Sequence, residues 1–435
     1  MIRALVSTCS VMLLFGCGAE TPPAGSPEQA PSAGPATGQG ATAYVGAAIW
    51  DGTGSPVQAG KVLLVRDGHV EGIVDSAPAG ATVVDLAGRF VTPGIINTHG
   101  HVSGRWADAA VSNTVDRVRG DLALYARYGV TSVLSLGGAP AEAFALRDAS
   151  DDPALRHARL QVAGEVVAGN TAAAAAETAQ ANVEAGVDWL KLRVDDNLGT
   201  GTKMPWEAVS ATMEIAATAN LPVATHIYYM EDAARLLQMG SGLIAHSVRD
   251  QQVTDEFVQQ LLDAGICYVP TLVREVSTFV YATRPEWFDD PFFLEAASRA
   301  EIDRVTAPDF QASVAASPTA AGYRQALEQA KLNLRVLVGS GVPVAFGTDS
   351  GPPGRVPGYF EHLEFDLMAD AGMTPAEILL SATSVAAACL AMDDIGSLAP
   401  GKWADFIVFS ANPLDDIGNA RSIERVYIAG NEVVR

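Results

Sequence analysis

From residue 94 onward, short apolar runs alternate with stretches in which apolar residues recur every three or four positions. The runs are 94–99, 129–136, 159–167, 188–194, 222–227, 242–248, 266–272 and 343–348, and their length and composition predict strands. Several are introduced by a glycine that closes the preceding helix, as at Gly129, Gly186, Gly265 and Gly341. In the intervening stretches Val115, Val118, Leu122 and Tyr125 share one helix face, and Pro205 opens a helix that turns Trp206, Val209 and Met213 inward. Eight strands with helices between them predict an α/β chain folded as a (β/α)8 TIM barrel over residues 94–395, with a long insertion at 273–341. A doubly wound open sheet has the same alternation, and only the placement of polar residues argues against it.

Both chain ends show a different pattern. Short β runs at 43–50, 61–66, 69–74 and 82–85, with Asp67-Gly68 as a hairpin turn, are matched by runs at 405–409 and 425–428. Neither end is large enough to fold alone, so residues 42–93 and 396–435 are expected to pair in one small β-sandwich. Residues 18–41 hold five Pro, five Gly and six Ala without apolar periodicity, the composition of a flexible linker. Residues 1–16, with Arg3 ahead of a short apolar run, read as an export signal peptide. Leu14-Phe15-Gly16-Cys17 resembles a bacterial lipobox, which makes Cys17 the lipidated residue at the head of the 17–41 linker. Cleavage near Ala19 or Ala24 is the other reading, Phe15 being unusual in a lipobox. The expectation is an exported lipoprotein, facing the periplasm or cell exterior and touching the membrane only through its lipid. Cys267 and Cys389 fall in a buried strand and a buried helix and read as core thiols, with a single bridge left open.

Composition narrows the classes. Of 435 residues, 49% are hydrophobic and 18% charged, which excludes a disordered chain. Lys and Arg total 28 against 50 Asp and Glu, and the net charge of −22 opposes nucleic acid and anionic bilayers.

The polar residues favour the barrel. His99, His101, His226 and His246 all stand at the C-terminal ends of predicted strands, the end where barrel enzymes place their active sites. His99 and His101 are two residues apart on one strand, so both imidazoles point to the same side and can grip one metal. Lys191 lies within an apolar strand and Asp349 ends the eighth. Two readings of Lys191 stand. It forms a salt bridge to Asp349 or snorkels to the barrel mouth; or burial depresses its pKa, so that the amine reacts with carbon dioxide and becomes an anionic metal ligand.

Val91-Thr92-Pro93-Gly94-Ile95-Ile96-Asn97-Thr98-His99-Gly100-His101, strand-end Lys191, His226, His246, Gly347-Thr348-Asp349-Ser350 and the tail from Gly396 to Asp405 together resemble the metal-dependent amidohydrolase superfamily. The resemblance runs from about Tyr44 to Arg435 and is nearest in feel to imidazolonepropionase-like and Xaa-Pro dipeptidase-like members with a carboxylated lysine. It implies two divalent metal ions, expected to be Zn²⁺. His99, His101, Lys191 and Asp349 hold one and Lys191, His226 and His246 the other, with Lys191 as N6-carboxylysine. It also implies hydrolysis of an amide bond by a metal-bridged hydroxide, with Asp349 as general base and then general acid. Arg193-Val194-Asp195-Asp196 and Ile227-Tyr228-Tyr229 replace the glycine-rich segments of those dipeptidases, which leaves the substrate open. The alternatives are a one-metal heterocycle deaminase, a lactone or ester hydrolase on the same site, and a lipoprotein that binds a small molecule without turning it over.

Strand parity supplies candidates for the substrate pocket. Arg193 follows Lys191 by two residues and Tyr228 follows His226 by two, so both are expected in the lumen. Arg249 and Arg274 lie just past two strand ends and His362 just past the eighth, on the same face. Arginine forks carboxylates, which suggests an acylated amino acid or dipeptide whose carboxylate meets Arg193 or Arg249, with Tyr228 beside the scissile carbonyl. The competing reading pairs these arginines with Asp195, Asp196, Asp250 and Glu275. His69 and His157 read as solvated or structural.

Overall fold

Seven of the eight apolar runs form parallel strands in chain order. In the computed structural model, which describes residues 40–107 and 110–434, Ile95–Gly100, Val130–Ser135 and Arg159–Val162 make one sheet. Leu190–Arg193, Val223–His226, Leu243–Ala245 and Cys267–Val269 make another. Single bridges join the rest: Val167 to Leu192, Tyr268 to Val344, and Gly100 to Ser350. Every neighbour in this series is parallel and the helices lie between the strands, the organisation of a TIM-barrel fold. The expected signal segment, Cys17 and all but the last two residues of the linker lie outside the described residues. Among the described residues no helix is long and apolar enough to cross a membrane.

The eighth run departs from expectation. It is no regular strand, because Pro343 has no N–H to give, and further on the amides of Thr348 and Asp349 both reach the carbonyl of His99 (3.2 and 2.6 Å). The third run is shorter than expected for a different reason. At Gly164 (φ +65) the chain bends so closely over Asn182 that a Cβ would lie 2.5 Å from its Oδ1, and pairing resumes only at Val167. The expected insertion at 273–341 is helical, and its last helix, Ala320–Gly339, packs on the helices Leu272–Val276 and Tyr359–Asp370.

The chain ends interleave in two further sheets. His69–Val74, Val62–Arg66, Ala41–Val45 and Thr82–Asp85 form the first. In the second, Phe90–Pro93 pairs with Ala48–Ile49 on one side and with C-terminal Phe406–Phe409 on the other. The two bury one apolar cluster, with Tyr44, Leu63 and Val65 meeting Val91, Phe406 and Tyr427.

Two links tie the C-terminal part of the chain to the parallel strands. Arg159, on the third strand, is buried and donates to both oxygens of Asp405 (2.6 and 3.1 Å), while Trp403 covers its guanidinium at 4.2 Å. Asp405 also accepts the amide of Ala429 at 2.7 Å. The other link corrects the reading of the cysteines as core thiols: Cys267 and Cys389 are disulfide-bonded, their Cα atoms 5.9 Å apart across 122 residues of sequence. Apolar surroundings suit a thiol and a bridge equally, and only the closed fold brings helix Ser384–Cys389 under the start of the seventh strand.

Removing one partner of a buried, hydrogen-bonded ion pair costs about 3–5 kcal/mol. Asp405→Asn is therefore expected to lower unfolding free energy by that amount in urea titration, and a loss below about 1 kcal/mol would show that the pair does not join the parts.

Candidate metal centre and active site

The strand ends bring six ionisable side chains to one cavity of about 370 Å³: His99, His101, Lys191, His226, His246 and Asp349. Gly100 allows the first two to stand so close to the next strand, since a Cβ there would lie 2.8 Å from Val133 and from the Tyr125 hydroxyl. His101 Nδ1 faces the carbonyl of Gly137 at 2.8 Å, so this nitrogen carries the proton. Its Nε2 then presents a lone pair to Asp349 Oδ1, also at 2.8 Å. Two acceptors at that distance need a second imidazole proton or a metal cation between them. His99 Nε2 lies 3.6 Å from the same oxygen, and His99 Nδ1 is buried with no hydrogen-bond partner among the described residues. Among the described residues His99, His101 and Asp349 form a compact potential metal-binding group. This donor set fits a divalent metal.

The protonation states fit it as well. Burial, and after it the charge of Lys191, holds His99 well below the usual histidine range. Burial also lowers His226, to about 3, and His246, so the imidazoles are neutral with a lone pair available. Burial opposes the ionised form of Asp349, yet the charge of Arg355 beside it holds it well below the ordinary carboxylate range. His246 (φ 73) and Asp349 (φ 58) both occupy the left-handed region, a backbone strain that recurs at functional sites.

Lys191 is 3% exposed and forms no ion pair among the described residues, so it neither snorkels nor bridges to Asp349. Its Nζ lies 3.4 Å from His99 Nε2, and burial lowers its pKa to about 7 despite the nearby Asp349. The amine is thus substantially neutral at neutral pH.

The remaining expectations divide. Arg193 and Arg274 line the cavity, Arg193 hydrogen-bonded to Asn197 and Arg274 paired with Glu275 at 3.1 Å. Arg249 does not. It is buried behind the cavity wall, bonded to the carbonyls of Ile227 and Ser247, 3.1 Å from Glu275 and stacked on Tyr228. Tyr228, so covered and packed against Tyr323, is also absent from the lining. His362 is corrected in the same way: it is enclosed by Phe292 and Phe365, with Nε2 on the carbonyl of Tyr128 at 2.9 Å. His69 stacks on Trp403 in the terminal sheets, and half-buried His157 bonds the carbonyl of Ala158.

Four residues at the site were not foreseen. Arg355 lines the cavity and pairs with Asp349. Asp195 accepts from His226 Nε2 at 2.8 Å, and Thr271 bonds His246 Nδ1 at 2.6 Å. Buried Glu361 gathers Asn97, Thr348 and Ser350 on one oxygen, fixing the backbone beside His99 and Asp349. Asp195 was weighed only as an arginine partner, and for the others a loop and a helix gave no periodic signal.

Residues 90–433 match the Amidohydrolase family. The chain belongs to that family. An imidazolonepropionase of Deinococcus radiodurans is 27% identical over 403 residues, covering 85% of this chain and 91% of its own. In fold, the chain resembles a putative prolidase from Bifidobacterium longum (TM-score 0.71, 24% identity, 92% of this chain and 96% of that one). It also resembles a Xaa-Pro dipeptidase with bound methionine (TM-score 0.69, 21% identity, 90% and 99%). Membership of the family makes the protein a metal-dependent hydrolase acting on carbon–nitrogen bonds.

His101→Ala is expected to weaken metal retention on the order of 100-fold, measured by elemental analysis after dialysis against graded chelator. His69→Ala, remote from the cavity, should retain metal like the parent. Equal loss in both variants would detach His101 from the metal.

Proposed function

We propose that this amidohydrolase cleaves the amide bond of a small acylated amino acid or dipeptide with two divalent metal ions, Zn²⁺ suiting the nitrogen-rich donors best. His99, His101, Asp349 and carboxylated Lys191 hold one, and Lys191, His226 and His246 the other. The observation that carries this reading is the part-buried lone-pair contact between His101 and Asp349, beside a buried lysine that forms no ion pair among the described residues. When bound, the metals supply Lewis-acid polarisation and an acidified water. The neutral Lys191 amine adds to carbon dioxide, forming an N–C bond and releasing one proton, and the resulting carbamate is the missing anionic ligand. Asp349, ionised and steadied by Arg355, accepts the proton of the attacking water and passes it to the leaving nitrogen. Arg193 and Arg274 take the substrate carboxylate.

A second reading is a mononuclear deaminase that holds its metal on His99, His101, His226 and Asp349 and leaves Lys191 structural; the compact group of His99, His101 and Asp349 among the described residues favours it. Such an enzyme releases ammonia from a heterocycle and has no need of bicarbonate. The terminal sheets are read as a β-sandwich and the chain as an exported lipoprotein; the Cys267–Cys389 disulfide supports an oxidising compartment.

A hydrolysis screen of purified protein with Zn²⁺ and bicarbonate, using N-acyl amino acids, dipeptides, lactones and aryl esters, tests the reaction class. Cleavage of acyl amino acids with marked preference over their C-terminal amides is expected, and equal kcat/KM for acid and amide would end the carboxylate assignment. Asp349→Asn should keep most of its metal while kcat falls by about 10³-fold, and full activity in that variant would remove Asp349 from proton transfer. Because only the neutral amine adds to carbon dioxide, reactivation of metal-stripped protein at a fixed concentration of dissolved carbon dioxide should quicken as pH rises through about 7. A rate independent of pH and carbon dioxide would contradict carboxylation.

A further inference from the structure

A second cavity, of about 750 Å³, opens beside the first and has His101 and Pro352 in common with it. Its walls come from residues 103–106 after the first strand, Gly137 and Gly138 after the second, and residues 351–353 after the eighth. The insertion helix Arg299–Thr306 closes the far side. The indole N–H of Trp106 is bonded to the carbonyl of Gly351 at 2.6 Å, so a half-buried aromatic face is fixed beside Pro352 and Pro353.

The charge of this chamber runs against that of the protein. In a chain of net charge −22, its described lining holds Arg105, Arg117 and Arg304 against one carboxylate, Glu301. Glu301 is already engaged: Arg304 grips both its oxygens (2.7 and 2.6 Å) and the amide of Gly354 meets it at 2.6 Å. Arg117 is anchored on the carbonyl of Val111 at 3.0 Å. Arg105 comes no closer to Glu301 than 4.0 Å and keeps 43% of its side chain exposed. His101 and Pro352, shared by the two linings, join this chamber to the cavity that holds Arg193 and Arg274.

We propose that the chamber is the subsite for the acyl or N-terminal portion of the substrate, and that it selects a portion ending in a carboxylate, which Arg105 meets while Trp106 covers the chain leading to it. The orientation rests on the amide reading above; the charge preference does not. A charge-assisted hydrogen bond of this kind discriminates on the order of tenfold or more.

The test compares adipoyl and hexanoyl amides of one amino acid, equal in chain length and different only in the terminal carboxylate. The parent should favour the adipoyl substrate by about tenfold in kcat/KM, and Arg105→Met should bring the ratio close to one. Equal values in the parent, or an unchanged ratio in Arg105→Met, would overturn the proposal. If neither amide is cleaved, the amide reading fails on its own, and calorimetric binding of adipate decides about the chamber. Weaker binding by Arg105→Met than by the parent supports it, and equal binding overturns it.

Discussion

A carboxylate oxygen and an imidazole lone pair held 2.8 Å apart repel unless a cation or proton lies between them, and around His101 and Asp349 much of the architecture serves to hold them there. Gly137 fixes the imidazole tautomer from one side. Arg355 restrains the carboxylate from the other. Beneath them Glu361 ties Asn97 to Thr348 and Ser350, so the strands bearing the two groups cannot separate without breaking a buried network. Burial then keeps the neighbouring histidines neutral and depresses Lys191, which suits a centre built to bind cations.

The terminal sheets and the barrel end opposite the site do other work. The Arg159–Asp405 pair and the disulfide lie toward the starts of their strands, away from the metal ligands at the strand ends. These two links and the metal ligands thus lie at opposite ends of the strands, as expected where the C-terminal strand ends carry the chemistry.

The residues that could be placed from sequence are those where a local period survives. Seven strands were legible because each is a short, largely buried run in the strand–helix alternation, and Arg193 reaches the cavity with Lys191 because both lie inside strand Leu190–Arg193. The same two-residue parity failed after His226: strand Val223–His226 stops at the histidine, and Tyr228 is absent from the cavity lining. Arg249, expected there from its place just past a strand end, follows the left-handed turn at His246 and is absent from the lining too. His362 sits on helix Tyr359–Asp370, where Phe292 and Phe365 enclose its ring. Arg355 reaches Asp349 across a six-residue loop without periodicity, while Thr271 and the disulfide depend on contacts 25 and 122 residues apart in sequence, which no local pattern encodes.

The central claim is that neutral, buried Lys191 becomes an anionic ligand joining two metals. Diffraction from crystals grown with Zn²⁺ and bicarbonate, with data collected on both sides of the zinc absorption edge, tests it most directly. The account predicts two anomalous peaks per chain flanking continuous density that extends beyond Lys191 Nζ; one peak at His99, His101 and Asp349 beside a free lysine amine would contradict it.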